Sequence, residues 1–307
     1  MGSTIVENNE YPWTIGMRID SPESMLISTR HILTAAHCVT TRIQYYANNE
    51  VLCSVLISTR HILTAAHCVT TRIQYYENNK VLCKYKMLPM SAIYVYPGTK
   101  VKHMKNIPPF TSSFRVVNMT IHNAYDPCKR GYDIALLEIS PNMFSAGSAI
   151  CMPSVNETIP KSLTSTGFGW NPTYVALFSN VLTVRSSRLS VKLESSSFCG
   201  IHSKMLRIAD HPDTGMLQAV NLTVYGKTDY DEIETRTVDR IPCFGDSGGP
   251  LFTVKNGSYI LLGITAQSEL CVKENDEKVA VFEDVRTKIT WICENSGVCP
   301  TESTTFK

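Results

Sequence analysis

Cys243-Phe244-Gly245-Asp246-Ser247-Gly248-Gly249-Pro250 is the most informative stretch of this chain. Glycines on both sides of Ser247 allow a tight turn that projects the hydroxyl and brings backbone N–H groups close to a bound carbonyl. Amides in that position are the donors an acyl-transfer site aims at a developing oxyanion. A Gly-Asp-Ser-Gly-Gly run alone is also compatible with a simple hairpin turn. The longer string from Cys243 to Pro250 is far more specific.

A serine hydroxyl is a weak nucleophile near neutral pH. It needs a base to take its proton and a carboxylate to orient that base. Two upstream blocks supply these groups. Thr64-Ala65-Ala66-His67-Cys68 sets an imidazole among small residues, and Tyr132-Asp133-Ile134-Ala135-Leu136-Leu137 sets an acid at the mouth of an apolar strand. A lone histidine is more often a core or surface residue, and a lone Asp before a strand is usually a cap. The joint occurrence of three blocks, in the order His, Asp, Ser, carries the inference. A lipase-type hydrolase would need Gly-x-Ser-x-Gly followed by Asp and then His, which this order excludes.

These blocks make the chain resemble the trypsin/chymotrypsin-like serine peptidases (peptidase S1). Further similarities are Pro12-Trp13-Thr14 with the first strand, Thr166-Gly167-Phe168-Gly169 with the start of the second half, and Thr290-Trp291-Ile292 with the last helix. The resemblance implies an all-β fold of two six-stranded antiparallel Greek-key barrels with a C-terminal helix. The peptidase domain is expected over 12–295, with barrels over about 12–160 and 161–294. It also implies His67 as general base, Asp133 as its partner, Ser247 as nucleophile, and the N–H groups of Gly245 and Ser247 as the oxyanion hole.

Strand signals fit this class. Ser91–Pro97, Arg115–His122, Asp133–Ser140, Leu217–Val224, Pro250–Val254 and Tyr259–Ala266 are short and rich in Val, Ile and Tyr. Asp284–Cys293 alone has good helical spacing, through Val285, Ile289 and Ile292. A long stretch between Trp170 and Leu217 is read as an inserted surface loop.

An internal repeat complicates the first half. Residues 26–53 recur at 56–83, offset by 30, with differences only at Ala47/Glu77 and Glu50/Lys80. Two near-identical units do not make a solenoid. They indicate a recent duplication or a mis-assembled gene model. Two candidate bases result. A hairpin from Trp13–Asp20 through Ser21-Pro22-Glu23-Ser24 into Met25 would favour His37. His67 lies nearer Asp133 in sequence and has Cys53 fifteen residues before Cys68, where the family keeps a disulfide beside its histidine. His67 is the assignment, with His37 as the alternative base.

By resemblance, Cys243–Cys271 braces the specificity pocket and Cys53–Cys68 flanks the histidine. Cys38 and Cys83 are then left over, and Cys128, Cys151, Cys199, Cys293 and Cys299 have no partner assignable from sequence. The pocket floor, six residues before the nucleophile, is Ile241, with Ser268 and Ala280 at wall positions that are usually glycine. An isoleucine cannot compensate a buried substrate cation. Cleavage after small or medium apolar residues is therefore expected, rather than after Arg or Lys. The family usually activates through a new N-terminal ammonium that pairs with the Asp before the serine, here Asp246. Ile5-Val6-Glu7-Asn8 lies too close to Pro12 for that role, so an impaired homologue used as a binding scaffold is the alternative function.

At 307 residues and 43% hydrophobic content, the chain can bury a full core. A net charge of +2, with both signs interspersed, gives no case for nucleic acid. Eleven cysteines and the sequons at Asn118, Asn156, Asn221 and Asn256 indicate an oxidising, secretory route and glycosylation. No Cys/His grouping has zinc spacing, so no metal or other cofactor is expected. Met1-Gly2-Ser3-Thr4-Ile5-Val6 lacks the apolar core of a signal peptide, no run is long enough to span a bilayer, and the chain is expected to start inside the catalytic domain. The expected partners are polypeptide substrates and protein inhibitors of peptidases.

Overall fold

The structure is a computed structural model that describes residues 4–6, 10–19, 26–28, 31–32, 50–77, 80–97, 104, 107, 112, 114–170, 215–238, 241–269 and 277–300. Its strands run β1 (Thr4–Ile5), β2 (Thr14–Ile19), β3 (Leu26–Ser28), β4 (His31–Ile32), β5 (Glu50–Leu56), β6 (His61–Thr64), β7 (Thr70–Glu77), β8 (Lys80–Met87) and β9 (Ile93–Pro97). They continue with β10 (Phe114–Ile121), β11 (Ala135–Ser140), β12 (Ser162–Gly167), β13 (Gln218–Lys227), β14 (Glu232–Val238), β15 (Pro250–Lys255), β16 (Ser258–Ser268) and β17 (Glu277–Asp284).

Six of these close the first barrel, in the order β10-β11-β6-β5-β2-β9. A second antiparallel sheet, β1-β13-β12-β15-β16-β17-β14, closes through β13–β14 pairing, with β1 attached to β13. Among the described residues, two six-stranded barrels and a short C-terminal helix, α1 (Ile289–Ser296), make the architecture the resemblance implied. Branched and aromatic residues drive each strand into its barrel. β9 reads Ile-Tyr-Val-Tyr-Pro and is buried throughout, while in β11 only Glu138 and Ser140 escape full burial. Asp284 caps the short 3-10 turn before α1 by accepting the Arg286 N–H, and Val285, Ile289 and Ile292 turn into the core. Gly297, at φ 71°, ends the helix by donating to the Cys293 carbonyl.

The barrels share packing as well as a chain connection. Trp13 meets Tyr259 at 4.5 Å and Phe252 at 5.5 Å between ring centroids, so an aromatic knot ties the N-terminal segment to the β15–β16 hairpin. Thr14 and Thr166 join hydroxyls at 2.7 Å across the junction.

The hairpin into Met25, weighed in favour of His37, does not include β2, which pairs with β5 from Thr14 opposite Val55 to Ile19 opposite Glu50. The tail of the first repeat and the two-residue linker fill that barrel position. Cys83, expected to be left over, is bonded to Cys128, and Cys293 to Cys299. The stretch 171–214 and the turn 21–24 lie outside the described residues.

Candidate active site

Each expected functional residue lies close to a strand end. His67 follows β6 on a 3-10 turn, Ala66–Val69, which the Thr70 hydroxyl closes by donating to the Ala66 carbonyl. Asp133 lies two residues before β11, after Gly131 and Tyr132 at φ 81° and 61°. Ser247 lies three residues before β15.

The first two groups meet directly. His67 Nδ1 is 2.6 Å from Asp133 Oδ2, and the His67 backbone N–H donates to Oδ1 at 2.8 Å. One carboxylate thus fixes both the ring and the chain carrying it. With Nδ1 facing the carboxylate, its proton sits there and Nε2 is the nitrogen left to act as the base. Burial pulls the imidazole pKa down, but the Asp133 charge and hydrogen bond outweigh it and hold the group well above 6.5. Cys68 Sγ lies 3.6 Å from Nε2.

The serine turn is pressed against the histidine segment. The Ser247 carbonyl accepts the Cys53 N–H at 3.0 Å, and the Gly248 N–H donates to the Thr265 carbonyl. A β-carbon on Gly248, at φ 80°, would collide with the Thr64 hydroxyl and the Cys53 carbonyl, so this glycine permits the approach. The Phe244 carbonyl is tied outward to the Trp170 N–H at 2.8 Å. In a trans peptide, that aims the Gly245 N–H the opposite way. Among the described residues, neither the Gly245 nor the Ser247 N–H has a protein acceptor.

Asp246 points away from the site. Its carboxylate accepts the Cys243 and Gly169 N–H groups, each at 2.7 Å. Gly167 and Gly169 make its room, since a β-carbon on either would overlap the carboxyl. Burial pushes its pKa up to about 6, against those two hydrogen bonds. No cation among the described residues pairs with it.

The Cys53–Cys68 disulfide expected beside the histidine is not formed; both thiols are free. Cys53 is instead a hydrogen-bonded thiol between the barrels, donating to the Gly245 carbonyl and accepting the Phe168 N–H. Burial drives its pKa well up, which keeps the proton that bond requires. Cys243 is disulfide-bonded, and its expected partner Cys271 lies outside the described residues, as does the alternative base His37. In the second barrel, Ser268 and Ala280 stand opposite each other on β16 and β17, and Ile241 packs on the same apolar cluster as Ala280. No group of three or more His, Cys, Asp or Glu suited to a metal occurs among the described residues.

Sequence reasoning missed two contributors. The Trp170–Phe244 bond depends on the path of the chain and leaves no local signal. Glu283 accepts the Asp133 N–H at 2.8 Å from inside the second barrel. A signal for it existed, because two adjacent acids end the apolar run Val279-Ala280-Val281-Phe282, where charge is unexpected.

A double antiparallel barrel with a His–Asp pair and a glycine-flanked serine turn at its junction defines the class of the chymotrypsin-like fold. The chain belongs to the trypsin family, whose sequence model, described as Trypsin, matches residues 43–292. It is 25% identical over 305 residues to coagulation factor XI of Bos taurus, across 96% of this chain and 37% of that protein. It is 26% identical over 185 residues to hypodermin-B of Hypoderma lineatum, across 60% of this chain and 62% of that protein. The chain thus spans less than two thirds of either relative.

Proposed function

We propose that the chain is a serine endopeptidase working through an acyl-enzyme. Ser247 attacks the scissile carbonyl and His67 Nε2 takes its proton, while Asp133 holds Nδ1 and stabilises the imidazolium. The Gly245 and Ser247 N–H groups receive the oxyanion. The proton then passes to the leaving amine, and water releases the acyl group by the same route. The observation carrying this reading is the two-point grip of Asp133 on His67 beside a turn whose two amides have no acceptor among the described residues.

Ile241, Ser268 and Ala280 support a narrow apolar pocket and cleavage after small or medium apolar residues. The disulfides and the high cysteine content support a secretory route, with polypeptide substrates and protein inhibitors as partners. A fluorophosphonate probe should label Ser247, Ser247→Ala should abolish labelling, and a peptide panel should favour Ala, Val or Leu before the cut bond. Preference for Arg or Lys would overturn the specificity, and an unlabelled wild-type protein would overturn the activity. One observation favours the alternative of a binding scaffold: among the described residues, Asp246 is held by neutral amides and by no ammonium.

A further inference from the structure

Two glutamates of the second barrel reach across the junction to the backbone around Tyr132. β14 and β17 set Glu232 opposite Glu283, and both side chains are buried, at 4% and 0% exposure. Glu232 Oε1 accepts the Gly131 N–H at 3.3 Å, and Glu283 Oε1 accepts the Asp133 N–H at 2.8 Å. Each acid has its own cation. Arg130 lies 2.8 Å from Glu232 Oε2, and Lys288, itself 4% exposed, lies 3.6 Å from Glu283 Oε2. Lys288 also sits 4.6 Å from the Tyr132 ring, which stacks on His122.

This arrangement is unfavourable as packing alone. Two buried carboxylates face each other, and a buried ion pair seldom outperforms apolar side chains of similar volume. Burial, with Asp133 and Glu232 nearby, raises Glu283 to about 7 despite Lys288 and the Asp133 amide. Glu283 Oε2 has no hydrogen-bond partner among the described residues. The pair does supply acceptors for a backbone that passes through left-handed geometry at Gly131 and Tyr132, which a tyrosine adopts only when its surroundings hold it. Asp133 comes next, and its carboxylate is the group that orients His67.

We infer that Glu283, assisted by Glu232, is a positioning residue: it fixes the Asp133 backbone from the opposite barrel and thereby sets the angle at which the carboxylate meets His67. The inference rests on the proposed function for its meaning but can be measured apart from it. In full-length protein labelled with 15N-histidine, a proton held between His67 Nδ1 and Asp133 gives a resonance far downfield. Wild type should show it. Glu283→Gln keeps an acceptor for the Asp133 N–H and should retain it. Glu283→Ala should lose or broaden it and slow fluorophosphonate labelling about 100-fold, the scale of a small misplacement of a catalytic group.

Should Glu283→Ala fail to fold because Lys288 is left alone, the double change Glu283→Leu with Lys288→Met removes the acceptor while keeping an apolar filling, and the same loss is expected. A wild-type protein without the resonance, or acceptor-free variants that keep it at wild-type sharpness, overturns the inference. A wild type that shows the resonance, loses it as predicted and still takes no label refutes the enzyme reading and leaves the positioning role standing.

Discussion

Leu26 pairs with Ile32, and in the second copy of the same segment Leu56 pairs with Ile62. The hairpin is a local property that both copies express. Their tails diverge. Val51-Leu52-Cys53 forms the middle of β5 and enters the first barrel, with Leu52 2% and Cys53 0% exposed. Val81-Leu82-Cys83 forms part of β8, which pairs only with β7 in a separate two-stranded sheet, leaving Val81 45% exposed. One tripeptide is core in one place and surface ribbon in the other. β2 needs a hydrogen-bonded neighbour on the side away from β9, and only one tail can occupy that edge. The duplication therefore divides its labour. The first copy lends its tail to β5, and the second supplies β6, His67 and the projecting hairpin.

The sharpest way to break this comparison is to change the histidines. His67→Gln should lower peptide hydrolysis about 10⁴-fold or more, the loss expected when a triad base is removed. His37→Gln should leave the rate unchanged. Equal losses in steady-state assays would mean that both copies serve the site. Stability measures the divergence of the tails. Leu52→Ala should cost about 2–5 kcal/mol in urea titrations, as a truncation within a packed core does. Leu82→Ala, on the half-exposed ribbon, should cost about 0.5–1 kcal/mol. Similar costs would place both tails in comparable environments.

The smallest effect is a titration within the second copy. Burial lowers His61, partly offset by Glu138, whereas Asp133 lifts His67 above 6.5. The two imidazoles should therefore titrate on opposite sides of 6.5 by NMR. The folded state binds the His67 proton more tightly than the unfolded state. Its stabilisation is thus fully present below pH 6.5 and is lost as pH rises through the folded value. The free base exists only above that value, so the acid limb of any activity should also lie above pH 6.5. A crossing of the two histidines would remove Asp133 as the dominant influence.

The site was more legible than the barrel that carries it. His67, Asp133 and Ser247 could be proposed from sequence because nucleophilic catalysis requires particular residue types in short, characteristic surroundings, and the structure brings His67 and Asp133 together. Strands such as Pro250–Lys255 and the helix around Ile289 and Ile292 were readable for a similar reason, since their apolar periodicity is local. The Cys53–Cys68 pairing was misread, because sequence spacing does not say where a sulfur points. Cys53 turned out to spend its thiol on Gly245 and Phe168. The hairpin weighed in favour of His37 could not be settled from sequence, because an identical hairpin was offered twice and nothing inside the repeat states which flank the barrel will use.

By itself, then, the amino-acid order determined what depends on near neighbours: the three blocks, their order, the strand and helix periods, and the hairpin common to both copies. Only the tertiary structure decided which copy's tail entered the barrel, which thiols stayed free, and that Glu232 and Glu283 hold the Asp133 loop from the other side. Those outcomes depend on competition for one strand edge and on charges meeting across more than a hundred residues of chain. Contacts of that range are set by the closed barrels and leave no trace in any local stretch of sequence.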